Sequence, residues 1–358
     1  MSARTVISVD VMGGDGGPGP VIAGLARAVK DDPSLYFLLH GDEAAMSRYL
    51  ARRKKLRDHY EILQCDDVIP MDEKPSKALR NGRSSTLWNA LQSVKEGKAK
   101  VALSAGNTGA IVALAMFVLR RAPQVQRPAI AVHWPANRPE GYNVVLDMGA
   151  DIRADGPTLV QYAAMGAEYA RLAFGHARPR VGLLNVGSEE MKGRQELHEA
   201  KDILDAVIAE RDPGFEFLGY VEGMDILSDR VDVIVTDGFT GNIAMKAAEG
   251  TASFIRRSLK DAFTHSIWSR LGALFAMTSL HRLRKRIDPR RVNGGVFLGL
   301  NGGVVKSHGS ADAVGHASAV HLAAKMATDD FPGRVAGQLA KLDMGPISLK
   351  PGMAGQER

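Results

Sequence analysis

Lys192 stands in NVGSEEMKG (185 to 193), where Gly187, Ser188, Glu189 and Glu190 surround it just after the apolar run VGLL. A lysine held beside a glycine turn can neutralise a phosphate, or the oxyanion that forms when a carbonyl is attacked. The alternative is a solvated surface lysine. SAGNTGA (104 to 110) lies between VAL and IVALAMFVL, which puts Gly106 and Gly109 in a strand-to-helix turn. Backbone N–H groups at a helix start point outward unpaired, and the helix dipole favours negative charge there. Asn107 and Thr108 add side-chain donors. TDGFTGNIAMK (236 to 246) repeats the construction, with Thr240, Gly241 and Asn242 opening a helix. Either turn alone also reads as a plain helix cap. Neither carries Gly-Lys-Ser/Thr or a full G-x-G-x-x-G, so a small anion fits better than a nucleotide.

Three further segments add polar groups. Asp10 and Asp15 flank Gly13 and Gly14 after the first apolar run, and Ser307 and His308 follow Lys306 in NGGVVKSHGSAD. MDEKPSKALRNGRSS places Lys77, Arg80 and Arg83 in a loop suited to an acidic ligand, or simply to solvent. Cys65, the only cysteine, has no histidine near it in sequence and reads as packing. Asp147, Asp151 and Asp155 are spaced by four, but Gly149 and Gly156-Pro157 argue against one helix carrying all three to a metal. No cofactor is implied.

The elements that position these turns repeat one plan: a β-branched run, a glycine turn, then a helical pattern. That plan predicts an α/β fold, three layers with a mostly parallel sheet, in one catalytic unit over 1 to 340 with a polar tail at 341 to 358. Ligands in such sheets gather at strand carboxyl ends, so the four glycine turns are expected to face one cleft. One cysteine argues for a reducing compartment. The start lacks the apolar stretch of a signal peptide, and Ala110 to Leu119 is too short to span a membrane. Residues 251 to 291 hold ten Lys/Arg against two acids, +8 in a chain of net +6, so the remainder is −2. Phe254, Ile255, Leu259, Phe263, Ile267, Trp268, Leu271, Leu274 and Phe275 recur there at helical spacing. Two amphipathic helices joined near Gly272 to Ser279 are expected, protruding as a basic hairpin. Apolar interleaving makes nucleic acid a poor partner.

In order along the chain, VDVMGGDGGP, MDEKPSKALR, SAGNTGA, RPAIA, LDMGA, LLNVGSEEMKG, TDGFTGNIAMK and LGLNGGVVKSHGSAD resemble the bacterial phosphate acyltransferase family. The resemblance spans nearly the whole chain. It implies transfer of a fatty acyl group from acyl-carrier protein to inorganic phosphate, feeding a membrane acyltransferase that acylates glycerol 3-phosphate in phospholipid synthesis. It further implies a fold like isocitrate and isopropylmalate dehydrogenases, a homodimer, and a cytoplasmic protein attached peripherally to the inner face of the membrane through the hairpin. Lys192 and Asn242 match the positions carried over as catalytic. Asp151 departs from the asparagine expected after LDxGA. On this reading Lys192 and the Asn242 amide hold the oxyanion, while the turns at 106 to 109 and 240 to 242 hold phosphate near Ser307 and His308. The basic segment, with Arg256, Arg257 and Arg284, is expected to meet an anionic leaflet or the acidic carrier. A short-chain phosphotransacetylase and a non-catalytic membrane scaffold are the rival readings.

Overall fold

The computed structural model describes residues 4–139, 141–286, 294–328 and 330–342. The chain opens with β1 (Thr5–Asp10), α1 (Pro18–Asp31), β2 (Leu35–Gly41), α2 (Glu43–Ala51), β3 (Tyr60–Gln64), α3 (Pro75–Asn81), α4 (Thr86–Lys95), β4 (Val101–Ser104) and α5 (Thr108–Val118). It continues through β5 (Ala129–Pro135), β6 (Tyr142–Leu146), α6 (Gly156–Phe174), β7 (Arg180–Leu184), α7 (Gln195–Glu210), β8 (Glu216–Val221) and β9 (Val233–Val235). It closes with α8 (Gly238–Thr264), α9 (Ile267–Arg286), β10 (Gly295–Leu298), β11 (Gly303–Lys306), α10 (Ala313–Thr328) and α11 (Phe331–Leu342).

Among the described residues, eleven strands form one sheet in the order β3-β2-β1-β4-β11-β10-β5-β6-β9-β7-β8. Pairing is parallel on both sides, but β10 runs antiparallel to β11 and β5, and β5 antiparallel to β6. The three reversals turn the second parallel block, β6-β9-β7-β8, against the first. Strands such as β9 and β4 carry buried apolar residues on both faces because helices cover both, as parallel sheets require. One face packs on α1, α6, α7, α10 and α11; the other, with Ala102, Val304, Val145 and Ile234, packs on α4 and α5. The result is the three-layer α/β arrangement expected.

Helix starts follow local chemistry. Asn107, Asp155 and Asp237 cap α5, α6 and α8 through their side-chain oxygens, and prolines enter the first turns of α1, α3 and α6. Asp147 and Asp155 thus belong to a strand end and a cap rather than to one helix.

The hairpin differs from expectation in two ways. Its first arm is the continuation of α8, which begins at Gly238 in a candidate site turn, and the joint falls at 265 to 266, not at 272 to 279. Ser266 sets that joint: its Oγ accepts from the Ser269 N–H (3.0 Å) and its carbonyl from the Arg270 N–H (3.0 Å). Gly272 lies inside α9. The hairpin positions 287 to 291, the Arg284 side chain and tail positions 343 to 358 lie outside the described residues. Among the described residues, no helix is long and apolar enough to cross a membrane.

Candidate functional site

The first group of turns gathers at the ends of β1, β4 and β11, where Asp10, Ser104 and Lys306 stand in register. Ala102 and Val304, two residues earlier, pack under α4 and α5, so alternation puts Ser104 and Lys306 on that face. Asp10 is 2% exposed and accepts from Ser104 Oγ at 2.7 Å. Burial pushes its carboxyl pKa up. Gly13 is fixed by this carboxyl, because a Cβ there would lie 2.2 Å from Asp10 Oδ2. Gly14 and the exposed Asp15 complete the turn, with the Asp15 N–H donating to Gly309 O at 3.0 Å.

At the start of α5, Asn107 is committed to structure. Its Oδ1 accepts from the Ala110 N–H (3.0 Å), and its Nδ2 donates to the carbonyls of Met71 (2.6 Å) and Glu73 (3.1 Å). The expected side-chain donor is therefore a cap and a clamp. The N–H groups of Thr108 and Gly109 remain without an acceptor among the described residues, as first-turn amides do.

Ser307 departs further from expectation. It is fully buried and its Oγ is 3.1 Å from His316 Nδ1, so it faces α10 on the opposite side of the sheet. His308 is exposed, with Nδ1 2.8 Å from Ser310 Oγ. The residue that does face α5 is Lys306. Burial pulls its pKa down, while Asp15 and Glu249 push it back and Lys246 adds repulsion.

The second group lies at the ends of β6, β7 and β9. Asp147, fully buried, accepts N–H bonds from Ile130 (2.7 Å), Gly149, Ala150 and Asp151 (2.7 Å). Burial still raises its pKa to about 6. Gly149, at φ +122, brings the chain against Asn242.

Asp237 accepts both the Thr240 N–H (3.0 Å) and the Thr240 hydroxyl (2.8 Å) and pairs with Arg194. The Gly241 N–H donates to Asp237 O (3.0 Å) and the Gly238 N–H to Asp151 O (2.8 Å). These donors are spent, and a carboxylate occupies the place where phosphate was expected. The 240 to 242 turn is corrected from a phosphate cradle to a capped helix start that presents Asn242. Gly241 is essential to it, since a Cβ would lie 2.0 Å from Asp147 O. Gly241→Ala is expected to cost about 2–3 kcal/mol, the range of overpacking against atoms that cannot yield, read as a lower urea midpoint with unchanged slope.

Lys192 sits on the neighbouring turn, which Asn185 shapes by donating from Nδ2 to Lys192 O (2.8 Å) and accepting from the Val186 N–H (2.9 Å). Lys192 Nζ is 2.7 Å from Glu189 Oε1 with its side chain 53% exposed, and Glu189 raises its pKa, so the ammonium stays charged. Its stem lies over Gly187, where a Cβ would meet Lys192 Cδ at 2.6 Å. Ser188 is exposed beside it. The Arg194–Asp237 pair ties this turn to the helix that carries Asn242. Asn185 and Arg194 were not among the expected site residues, and Lys306 was singled out only as a member of its motif; Asn185, a polar residue directly after the strand VGLL, had a sequence signal.

Because the two parallel blocks run oppositely, the two groups leave the sheet at opposite ends instead of sharing one carboxyl edge. α8 connects them. It starts in the second group, packs Ala244 and Met245 on the same apolar face that Ala102 and Val304 line, and brings Lys246 and Glu249 within electrostatic reach of Lys306.

Of the remaining basic residues, Lys77 and Arg80 belong to α3, whose Pro75 packs against Gly109 at the start of α5. Lys77 pairs with Glu73 (2.8 Å), Arg80 Nε donates to Ser76 O (3.3 Å), and Arg83 stacks over Trp88 (6.0 Å) and Phe117 (5.8 Å). Arg256 and Arg257 are exposed on α8. Cys65 does have a histidine neighbour, His40 Nδ1 at 4.0 Å across the sheet. Burial pushes the thiol up and His40 down to about 4, so the pair is neutral and no thiolate forms.

Comparison with known proteins adds the family. A family model described as a fatty acid synthesis protein matches residues 5–334. A phosphate acyltransferase of Jannaschia sp. (strain CCS1) is 54% identical over 339 residues, 95% of this chain and 92% of that one. Among solved structures, a phosphotransacetylase from Streptococcus pyogenes aligns with a TM-score of 0.60 at 17% identity, covering 91% of this chain and 94% of that one. A 4-hydroxythreonine-4-phosphate dehydrogenase from Klebsiella pneumoniae aligns with a TM-score of 0.52 at 15% identity, covering 91% and 100%. Both share the fold.

Proposed function

Because the chain belongs to the phosphate acyltransferase family and is an acyltransferase, we propose that it moves a long fatty acyl chain from acyl-carrier protein to orthophosphate, for phospholipid synthesis. The observation that carries the reading is the open α5 start and Lys306 on one face of the sheet, with α8, whose first turns present Asn242, packed on that same face.

Phosphate is anionic at neutral pH and needs no general base to attack a thioester, and a thiol leaves readily because it is comparatively acidic. The site therefore needs position and charge. The free N–H groups of Thr108 and Gly109 and the Lys306 ammonium hold phosphate beside the segment of α8 that carries Lys246 and Glu249. Asn242, one turn earlier on α8, and the Lys192 side chain take the oxyanion of a thioester carbonyl held in contact with that phosphate. The attacking phosphate oxygen forms the C–O bond, the tetrahedral intermediate collapses, and the C–S bond breaks to give acyl phosphate and free carrier thiol. Holding the reactants together supplies several kcal/mol of the barrier reduction. Carrier thiol release from a long-chain acyl-carrier protein should depend on added orthophosphate. Faster turnover of acetyl-coenzyme A would favour a short-chain phosphotransacetylase, and no phosphate-dependent cleavage of either donor would favour a scaffold.

The hairpin supports association with a second copy of the chain and with an anionic membrane surface, where the product meets the glycerol 3-phosphate acyltransferase. Phe254, Trp268, Leu274 and Phe275 are exposed along it, with Arg256 and Arg257 on the same arm as Phe254. Each cation near an anionic leaflet contributes ~1 kcal/mol. Arg256→Glu with Arg257→Glu is expected to lower vesicle co-sedimentation at least tenfold while sparing soluble turnover; retained sedimentation would remove the electrostatic contact.

A further inference from the structure

A groove of about 720 Å³ runs between α1, the end of α2 and the start of α10, outside every turn described above. Its floor is small and apolar, made by the half-buried Ala23, Ala26 and Ala313, with the exposed Ala51 at its edge. Its rim is cationic: Arg27 and Lys30 project from α1, and the run Arg-Arg-Lys-Lys at 52 to 55 faces them. All six are exposed, and none has an ion pair among the described residues. The single acid on the rim, Asp31, faces His321 Nε2 at 3.4 Å.

We propose that this groove docks the acidic helical face of the carrier protein that delivers the acyl thioester, an inference that rests on the carrier as acyl donor. Two features select this occupant. An alanine floor lets a helix approach closely while the rim cations reach carboxylates on either side of it, the geometry of a helix laid in a groove. A flat bilayer would meet only the rim. The groove also ends at Ala313, the first residue of α10, directly after the turn that carries His308 and Asp312. A carrier seated there lies on the α1 and α10 face of the sheet, and its thioester arm passes the turn of His308 to reach the α5 start on the other face.

The test compares two donors of the same acyl chain, one on the carrier protein and one on pantetheine, for the wild-type enzyme and for Arg52→Glu with Lys54→Glu. With the carrier donor, KM should rise about tenfold at low salt and its salt dependence should flatten, as expected when steering charges are reversed. With the pantetheine donor, KM and kcat should stay as in the wild type. Unchanged KM for the carrier would overturn the docking surface, and so would equal losses with both donors, which would mark a damaged fold. Loss of anionic-vesicle binding with unchanged carrier KM would assign the groove to lipid and overturn it as well. A wild-type enzyme that uses pantetheine but not the carrier would sink the donor reading itself, before any variant is made.

Discussion

Lys192→Ala is expected to lower turnover roughly 10²- to 10³-fold with no change in the urea midpoint, because removing one oxyanion donor has that effect on the barrier while the fold does not depend on this side chain. The Lys192 side chain is half exposed and, among the described residues, pairs only with Glu189, itself an exposed residue, and such surface pairs add little to stability. The turn keeps its shape in the variant, since Asn185 holds the backbone carbonyl of residue 192 and not its side chain. Loss through kcat, with the unfolding transition in place, supports the role. Normal turnover in a folded variant removes Lys192 from the mechanism and leaves Asn242 and Lys306 to carry the charge.

Acidification from pH 6.5 to 4 is expected to cost several kcal/mol of stability. His40, His133 and His316 are each pushed down to about 4 by burial. His40 lies 3.2 Å from Ser93 Oγ, His133 Nε2 2.9 Å from the Tyr169 hydroxyl, and His316 3.1 Å from Ser307 Oγ. In the unfolded chain a histidine protonates near 6.5, so below that pH the unfolded state binds more protons and stability falls until the folded pKa is reached. A shift from 6.5 to about 4 corresponds to about 3 kcal/mol per histidine by pH 4. Asp147 works the other way. Its folded pKa near 6 lies above its ordinary value, so it returns up to about 3 kcal/mol as pH falls from 6 to 4. These four groups together lose roughly 5–7 kcal/mol, enough to bring a typical domain close to its unfolding midpoint. Urea titrations at several pH values measure the slope, and His316→Asn should flatten it; a stability that is flat or rises toward pH 4 would contradict the account.

The parts of the fold that were legible in sequence are those carried by local pattern. VALSAGNTGA announced β4, its turn and α5, and TDGFTGN announced β9 and the start of α8. Strand direction was not legible, because an apolar run reads alike in either sense. The reversal through β10 and β5, which sends the two groups of turns to opposite ends of the sheet, therefore left no trace in the motifs. Residue type also failed to separate binding from capping. Asn107 and Thr240 have the chemistry to hold an anion, and both spend it on their own helix starts. Lys306 and Ser307 show a third limit. In a strand buried on both faces, neighbours carry no alternation to say which points where, so sequence could not tell that the serine faces α10 and the lysine α5. The hairpin joint was hidden for a related reason: apolar spacing runs on past Ser266, and one capping serine is a weak interruption.

The most direct measurement mixes the purified protein with a long-chain acyl-carrier protein, with and without orthophosphate, and traps the product with hydroxylamine. Acyl hydroxamate that forms only when phosphate is present, in step with released carrier thiol, is the predicted result. Carrier thioester that stays intact with phosphate present, or is cleaved to free fatty acid without a trappable intermediate, would contradict acyl transfer to phosphate from this donor.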